Sequence, residues 1–393
     1  MNTLQVTSED INEITGMLPD IERKIEEISE ILLANLVMIG EIPAPTFSEE
    51  RRVQLILERF REAGLTECST DEAGNGIAVL RGTESNGSIL INAHTDTVFP
   101  ENMDHTMQVN TDSITGPGVA DNSLGTAVLA SLPMILDHLD IRLKHDIVLL
   151  AGVRSLGRGD LAGIRFFLNN NPFDISSAIC LEGIELGRLS YSSIGMLRGE
   201  ITCYVPDTYD WSRFGDASAI MTLNEVINKI NDIRLPKRPR TTVVMGSIKG
   251  GSAFNTIALE SSLKFEARSE SQEVVDQLGK RIREIGIEVS SKTGDDVMVD
   301  LFAKRSPGGI EFAHPLTQCA RMIIKSLGME PRLAPSISEL SAFIDKNIPA
   351  LTLGLTSGDH HHEPNETIKI RPMYKGISQI IGTLLAIDGG YCA

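Results

Sequence analysis

Residues 88–98 read SILINAHTDTV, an apolar run that breaks into polar residues at His94, Thr95 and Asp96. A short apolar run of this kind has the form of a buried strand. In open α/β sheets, ligands gather at the carboxyl ends of strands, which is where His94 and Asp96 then fall. Strand-like runs flank it on both sides, at 76–82 (GIAVLRG) and 145–153 (HDIVLLAGV). Between them, residues 122–139 (NSLGTAVLASLPMILDHL) carry helical spacing. Strands alternating with helices predict an α/β layer architecture.

Upstream, Ile21, Ile25, Ile28, Ile31, Leu32 and Leu36 recur at helical spacing. Thr46 followed by Glu49 reads as a capping box that opens a second helix, stopped by Gly64. From about Gly187 the pattern changes. Residues 195–205, 241–251, 261–271 and 297–304 read as strands, and 218–233 and 273–286 as helices. This β-α-β-β-α-β order is that of a ferredoxin-like unit. We therefore expect a discontinuous α/β domain, 1–187 with 305–393, interrupted by an α+β domain at 188–304.

Composition narrows the function classes. The 393 residues are 41% hydrophobic with 34 glycines, enough for a large core and two domains. A net charge of −17, from 36 basic and 53 acidic residues, disfavours nucleic acid and anionic membranes as partners. Five scattered cysteines without a CxxC pair suit a reducing compartment. The N-terminal segment, MNTLQVTSEDINEI, lacks the apolar run of a signal peptide, and no stretch reads as a membrane span. The expected localisation is cytoplasmic.

Several residues carry metal chemistry. In an extended HTD, His94 and Asp96 share one side, so an imidazole could bind a cation while the carboxylate orients it. Asp121 in GVADNSLG stands before a helix it could cap; it could equally bridge two cations. Glu182 in CLEG follows an apolar run, where an acid is a ligand or a solvated strand end. His360, His361 and His362 lie between Asp359 and Glu363, with Glu366 placed to fix the loop or orient a ring.

The ordered blocks IPAPTFSEE, HTDTV, GVADNSLG, LEG, GGSAFNTI, EARSES, SELSAF and HHEPNET resemble the M20 family of co-catalytic zinc peptidases. They are most similar to its peptidase T and tripeptidase-like branch, with carboxypeptidase G2 and succinyl-diaminopimelate desuccinylase as relatives. The resemblance spans nearly the whole chain. It implies a zinc-peptidase α/β/α domain with an inserted lid that dimerises, and a small peptide or acylated amino acid as substrate. It makes His94, Asp121 and Glu182 ligands of one zinc, with Asp121 bridging, His362 a ligand of the second, and Asp96 the orienter of His94. Asn255 and Arg268 match lid positions linked with substrate.

One part of the pattern is missing. The family carries a Glu-Glu pair after the fourth strand, the first a general base and the second a ligand of the second zinc. Here 153–163 read VRSLGRGDLAG, which puts Ser155 at the base position and Leu156 at the ligand position. Arg154 and Arg158 flank the gap, where a guanidinium could stand in for a cation. The lid motif with the family's histidine reads DTYD, placing Tyr209 there, and the SDAN motif reads Ser338, Glu339, Leu340, Ser341. General acid–base catalysis contributes roughly 10²- to 10⁴-fold, and a serine hydroxyl does not replace a carboxylate. The resemblance and its gap together imply at most one zinc per chain, and a protein inactive or weakly active as a peptidase. The competing expectation is an active one-metal hydrolase that recruits His360, His361 or Glu339 as its base.

Overall fold

The computed structural model describes residues 8–84, 87–206 and 218–392. The chain divides into two compact units, Met1–Ser193 with Gly309–Ala393, and Ile194–Gly308.

The first unit is built on an eight-stranded sheet. Its order is Cys68–Thr70, Gly76–Leu80, Asp146–Gly152, Ser88–His94, Ile175–Ile184, Ala350–Thr356, Arg188–Ser190, Arg332–Leu333. The four central strands run parallel. Parallel neighbours need crossovers, and here these are helical, which buries the strands on both faces. All seven residues of Ser88–His94 are buried accordingly. Alternation along that strand sends Ile89, Ile91 and Ala93 into one core and Leu90 into the other. The first core takes helices Ser8–Glu27, Ser29–Gly40, Glu50–Glu62, Leu124–His138, Pro315–Ser326 and Ile370–Asp388. The second takes the short helices Ala162–Asn170 and Leu340–Ile344 through Leu161, Ile164, Phe167, Leu340 and Phe343. Each large apolar side chain so buried contributes about 1.5–3 kcal/mol.

Two local expectations change. Thr46 does not cap the helix Glu50–Glu62: Glu49 occupies the N-cap position without a side-chain capping bond. The Thr46 hydroxyl instead donates to Asp96 Oδ2 at 2.8 Å, and Glu49 Oε1 accepts the backbone N–H groups of Phe47 and Arg154. A longer-range demand for partners won over the local one. The segment Val119–His138 is long and apolar enough to cross a membrane, contrary to the sequence reading, but it lies in the core of the first unit.

The second unit is a four-stranded antiparallel sheet in the order Thr241–Gly250, Glu260–Ser269, Gly195–Tyr204, Asp296–Arg305. Helices Ala219–Asn231 and Gln272–Thr293 cover one face, with Leu223, Val226, Ile282 and Ile285 packed on Ile201, Leu263 and Phe265. Ser271 caps the second helix through the Val274 N–H, and Gly294, at φ 82°, ends it. The observed order β-α-β-β-α-β is the ferredoxin-like one. The unit begins at Ile194 rather than at 188, because Arg188–Ser190 pairs with Ala350–Thr356 in the large sheet.

Candidate metal centre

Two strand ends and one hairpin converge on Asp121. Ser88–His94 delivers His94, in register with Gly152 of its neighbour. Ile175–Ile184 delivers Glu182, opposite Gly354. The strands Gly358–Asp359 and Thr367–Lys369 pair antiparallel and carry His360–Glu366 between them, and Thr367–Lys369 pairs in turn with Ser113–Thr115.

The carboxylate of Asp121 is shared between two groups of side chains. Its Oδ1 lies 3.0 Å from His94 Nε2, while its Oδ2 lies 2.9 Å from His362 Nε2 and 3.6 Å from His361 Nε2. His94, Asp121 and Glu182 form one set of donor atoms within 4.8 Å of one another, and Asp121, His361 and His362 form a second. His361 thus joins the residues read from the sequence. In the sequence it stands as one histidine of three and as a candidate substitute base, and its position beside Asp121 comes from the hairpin.

Supporting contacts fix each donor. His94 Nδ1 is 3.1 Å from the Asp96 carbonyl oxygen and 3.4 Å from its Oδ1. A proton on Nδ1 leaves Nε2 free to accept a cation, and here the backbone carbonyl orients the ring more closely than the carboxylate. Asn122 donates to the Leu181 carbonyl and accepts from the Gly183 and Gly125 N–H groups, tying the loop of Asp121 to the strand of Glu182. A Cβ on Gly183 would meet the Ala120 carbonyl oxygen at 2.2 Å, so the glycine of LEG permits this approach. Glu366, fully buried, accepts N–H groups from Ala120, Asp121 and His362 at 3.0, 3.2 and 2.7 Å. It fixes two loops rather than a ring. The buried guanidinium of Arg52 binds the carbonyls of Gly40, Ile42 and Thr95 and the Ser123 hydroxyl, although burial pulls its pKa down to about 10.

The electrostatics follow from burial and crowding. Burial pushes the His94 pKa down, but Glu339, Asp121 and Asp96 outweigh it and hold it well above the ordinary value. Burial raises the Asp121 carboxyl, yet hydrogen bonds from His361, His362 and His94 hold it well below its usual range. Glu182 is raised, chiefly by burial, with Arg188 and His94 opposing. Arg188 and Glu339 are therefore charged neighbours of the cluster; Arg188 had not been singled out from sequence.

Asp96 Oδ2 accepts the backbone N–H groups of Ser155 and Leu156 at 3.0 and 2.8 Å. Arg154 does not take a cation's place beside Asp121: its guanidinium lies 5.9 Å from the centre of the Phe47 ring, on a cavity of about 360 Å³ also lined by Glu49, Glu50, Asp71 and Glu72. Arg158 is exposed. His360 pairs with Glu363 at 3.2 Å, exposed to solvent, and Glu339 is buried. In the second unit, Asn255 is exposed and Arg268 is bound to Glu266, which also binds Arg198. Tyr209 lies outside the described residues.

The donor set fits zinc. Two ligands of a tetrahedral zinc, each at about 2.0–2.1 Å, lie roughly 3.3 Å apart, and the separations of 3.0, 2.9 and 3.6 Å around Asp121 bracket that value.

Residues 90–386 match the family described as Peptidase family M20/M25/M40. The chain belongs to that family. Among solved structures, a tripeptidase from Staphylococcus aureus is 22% identical with a TM-score of 0.72, over 92% of this chain and 98% of that one. The dipeptidase Dug1p from Saccharomyces cerevisiae is 13% identical with a TM-score of 0.78, over 94% and 98%. A dinuclear metal-binding M20 peptidase from Bacillus subtilis is 16% identical with a TM-score of 0.63, over 92% and 99%. These likenesses show a shared fold, the catalytic domain with lid of M20 peptidases. No curated protein matches the sequence.

Proposed function

We propose that this chain is an M20 peptidase-like protein that has lost the general base and one second-metal ligand. In this reading it is inactive or weakly active on peptide bonds, and it binds a small peptide or acylated amino acid. The observation that carries the reading is at Asp96: its carboxylate binds the N–H groups of Ser155 and Leu156, so the backbone fastened to the residue beside His94 carries a serine and a leucine where the family has its Glu-Glu pair. One zinc is held tightly by His94, Asp121 and Glu182, with Asp96 aligning the imidazole. Such an ion acts as a Lewis acid on a carbonyl oxygen. In that setting His94 and Glu182 position the ion, and the buried loop around Asn122 keeps Asp121 between the two donor groups.

Asn255 and Arg268 contribute to substrate binding, and the unit Ile194–Gly308 supports homodimerisation as the family's lid does. Cytoplasmic residence rests on the five scattered cysteines without a CxxC pair. The test is metal analysis of the purified protein together with a screen of di- and tripeptides and acylated amino acids. One ion per chain held through dialysis and no turnover support the reading. Metal-dependent hydrolysis near the enzyme median of about 10 s⁻¹ overturns it.

A second reading, an active hydrolase using one metal and a substitute base, is favoured by the closeness of His361 to Asp121 and by the buried Glu339 carboxylate beside His94. Of the three candidates, His360 is turned to Glu363. Turnover abolished by Glu339→Gln or His361→Gln selects this reading.

A further inference from the structure

We infer that His361 supplies the donor that Leu156 lacks, so that Asp121, His361 and His362 form a second, weaker cation site of altered chemistry. Two imidazoles and one carboxylate oxygen replace a carboxylate-rich set. The inference rests on the proposed reading of the first ion at His94, Asp121 and Glu182.

Three observations support it. The Nε2 atoms of His361 and His362 converge on the same oxygen, Asp121 Oδ2, at 3.6 and 2.9 Å, while the other oxygen faces His94. The rings of His361 and His362 stack, with centroids 3.9 Å apart and an interplanar angle of 26°, so each ring supports the other beside Asp121. The backbone that produces it is strained: His360 and His362 adopt φ of 59° and 67°. Left-handed backbone at residues other than glycine costs on the order of 1–3 kcal/mol and persists where surroundings enforce it. Here Glu366 enforces it, gripping the His362 N–H at 2.7 Å while holding the Ala120 and Asp121 N–H groups with its other oxygen. One buried carboxylate thus locks the histidine pair to the aspartate it faces.

The donor chemistry selects the ion. Imidazole suits zinc, cobalt, nickel and copper, whereas magnesium and calcium require oxygen donors. Three protein donors leave the site open to solvent, and His361 and His362 are 44% and 57% exposed, so this ion exchanges faster than the first. The absence of a carboxylate ligand at Leu156 is then a relocation of the donor from the strand end after Gly152 to the hairpin loop.

The experiment is a titration of metal-free full-length protein with Co²⁺, followed by its visible absorption, and with Zn²⁺ by calorimetry. Two equivalents are expected, the second weaker. His361→Ala, a change at a half-exposed side chain, should weaken the second equivalent at least tenfold and leave the first unchanged. Glu182→Ala should weaken the first and retain the spectrum of the second. A second equivalent indifferent to His361→Ala, or binding that stops at one equivalent, overturns the inference and leaves the first site standing. Failure to bind any ion overturns both readings. Mg²⁺ competing equally for the second equivalent also overturns it.

Discussion

Leu156 donates its backbone N–H to Asp96 Oδ2 at 2.8 Å, so the position without a carboxylate is fastened to the residue that aligns His94. The gap and the intact part of the centre share one buried anchor. Asp96 also accepts from Ser155 N–H and the Thr46 hydroxyl, and it is fully buried.

Asp96→Ala should therefore weaken binding of the first zinc by 10- to 100-fold, the usual effect of losing a group that orients a ligating histidine. It should also lower stability, because buried donors left without a partner cost about 1–3 kcal/mol each. Competition with a zinc chelator measures the first effect and thermal unfolding of the metal-free protein the second. Unchanged zinc affinity would show that the Asp96 backbone carbonyl alone orients His94.

Restoring both carboxylates tests the lost chemistry. The double substitution Ser155→Glu with Leu156→Glu should tighten the second ion and raise di- or tripeptide hydrolysis by roughly 10²-fold or more over the parent. Stopped assays with quantified free amine suffice. If turnover stays flat while two ions bind tightly, the missing base does not account for low activity.

Glu366 serves three backbone N–H groups from two loops. Glu366→Ala should destabilise the protein by at least about 2 kcal/mol and speed amide hydrogen exchange at Ala120, Asp121 and His362. Exchange confined to the 360–366 loop would mean that Asp121 is held independently.

In the second unit, burial raises the Glu266 pKa, but Arg198 and Arg268 outweigh it and hold the carboxyl below its ordinary 4.5. A depressed carboxyl contributes stability that is present above the unfolded value and lost as pH falls through the folded one. The stability gap between the parent and Glu266→Gln should thus be widest near neutral pH and close as the solution is acidified below 4.5. Thermal unfolding across that range reads it; a gap constant with pH contradicts the assignment.

Much of the fold was legible because the parallel strands are so apolar. SILINAH and IVLLAG tolerate little but full burial, and the change of pattern after Gly187 announced the inserted unit. The division at Ser193 was not legible, since pairing of Arg188–Ser190 with a strand more than 150 residues later leaves no local trace. The donors His94, Asp121, Glu182 and His362 were read as a set only through ordered motifs, and the structure brings these four together. Thr46 shows the limit of local rules: its spacing to Glu49 satisfies a capping box, yet the hydroxyl goes to Asp96 across 50 residues. Arg52 and Arg188 gave no signal, because an arginine in a helix or short strand reads as solvent-facing until its neighbours in space are known.

The position of Ala350–Thr356 between Ile175–Ile184 and Arg188–Ser190 bears on how the chain is made. On the ribosome, the edge of Ile175–Ile184 emerges long before the strand that will cover it. At about 5–20 residues per second, the wait is on the order of ten to thirty seconds. Through that interval the nascent chain displays an open, apolar strand edge, a template for wrong pairing. The second unit, contiguous in sequence, completes its own sheet meanwhile. Synthesis thus finishes the inserted unit first and the metal centre last, when the segment bearing His361 and His362 arrives.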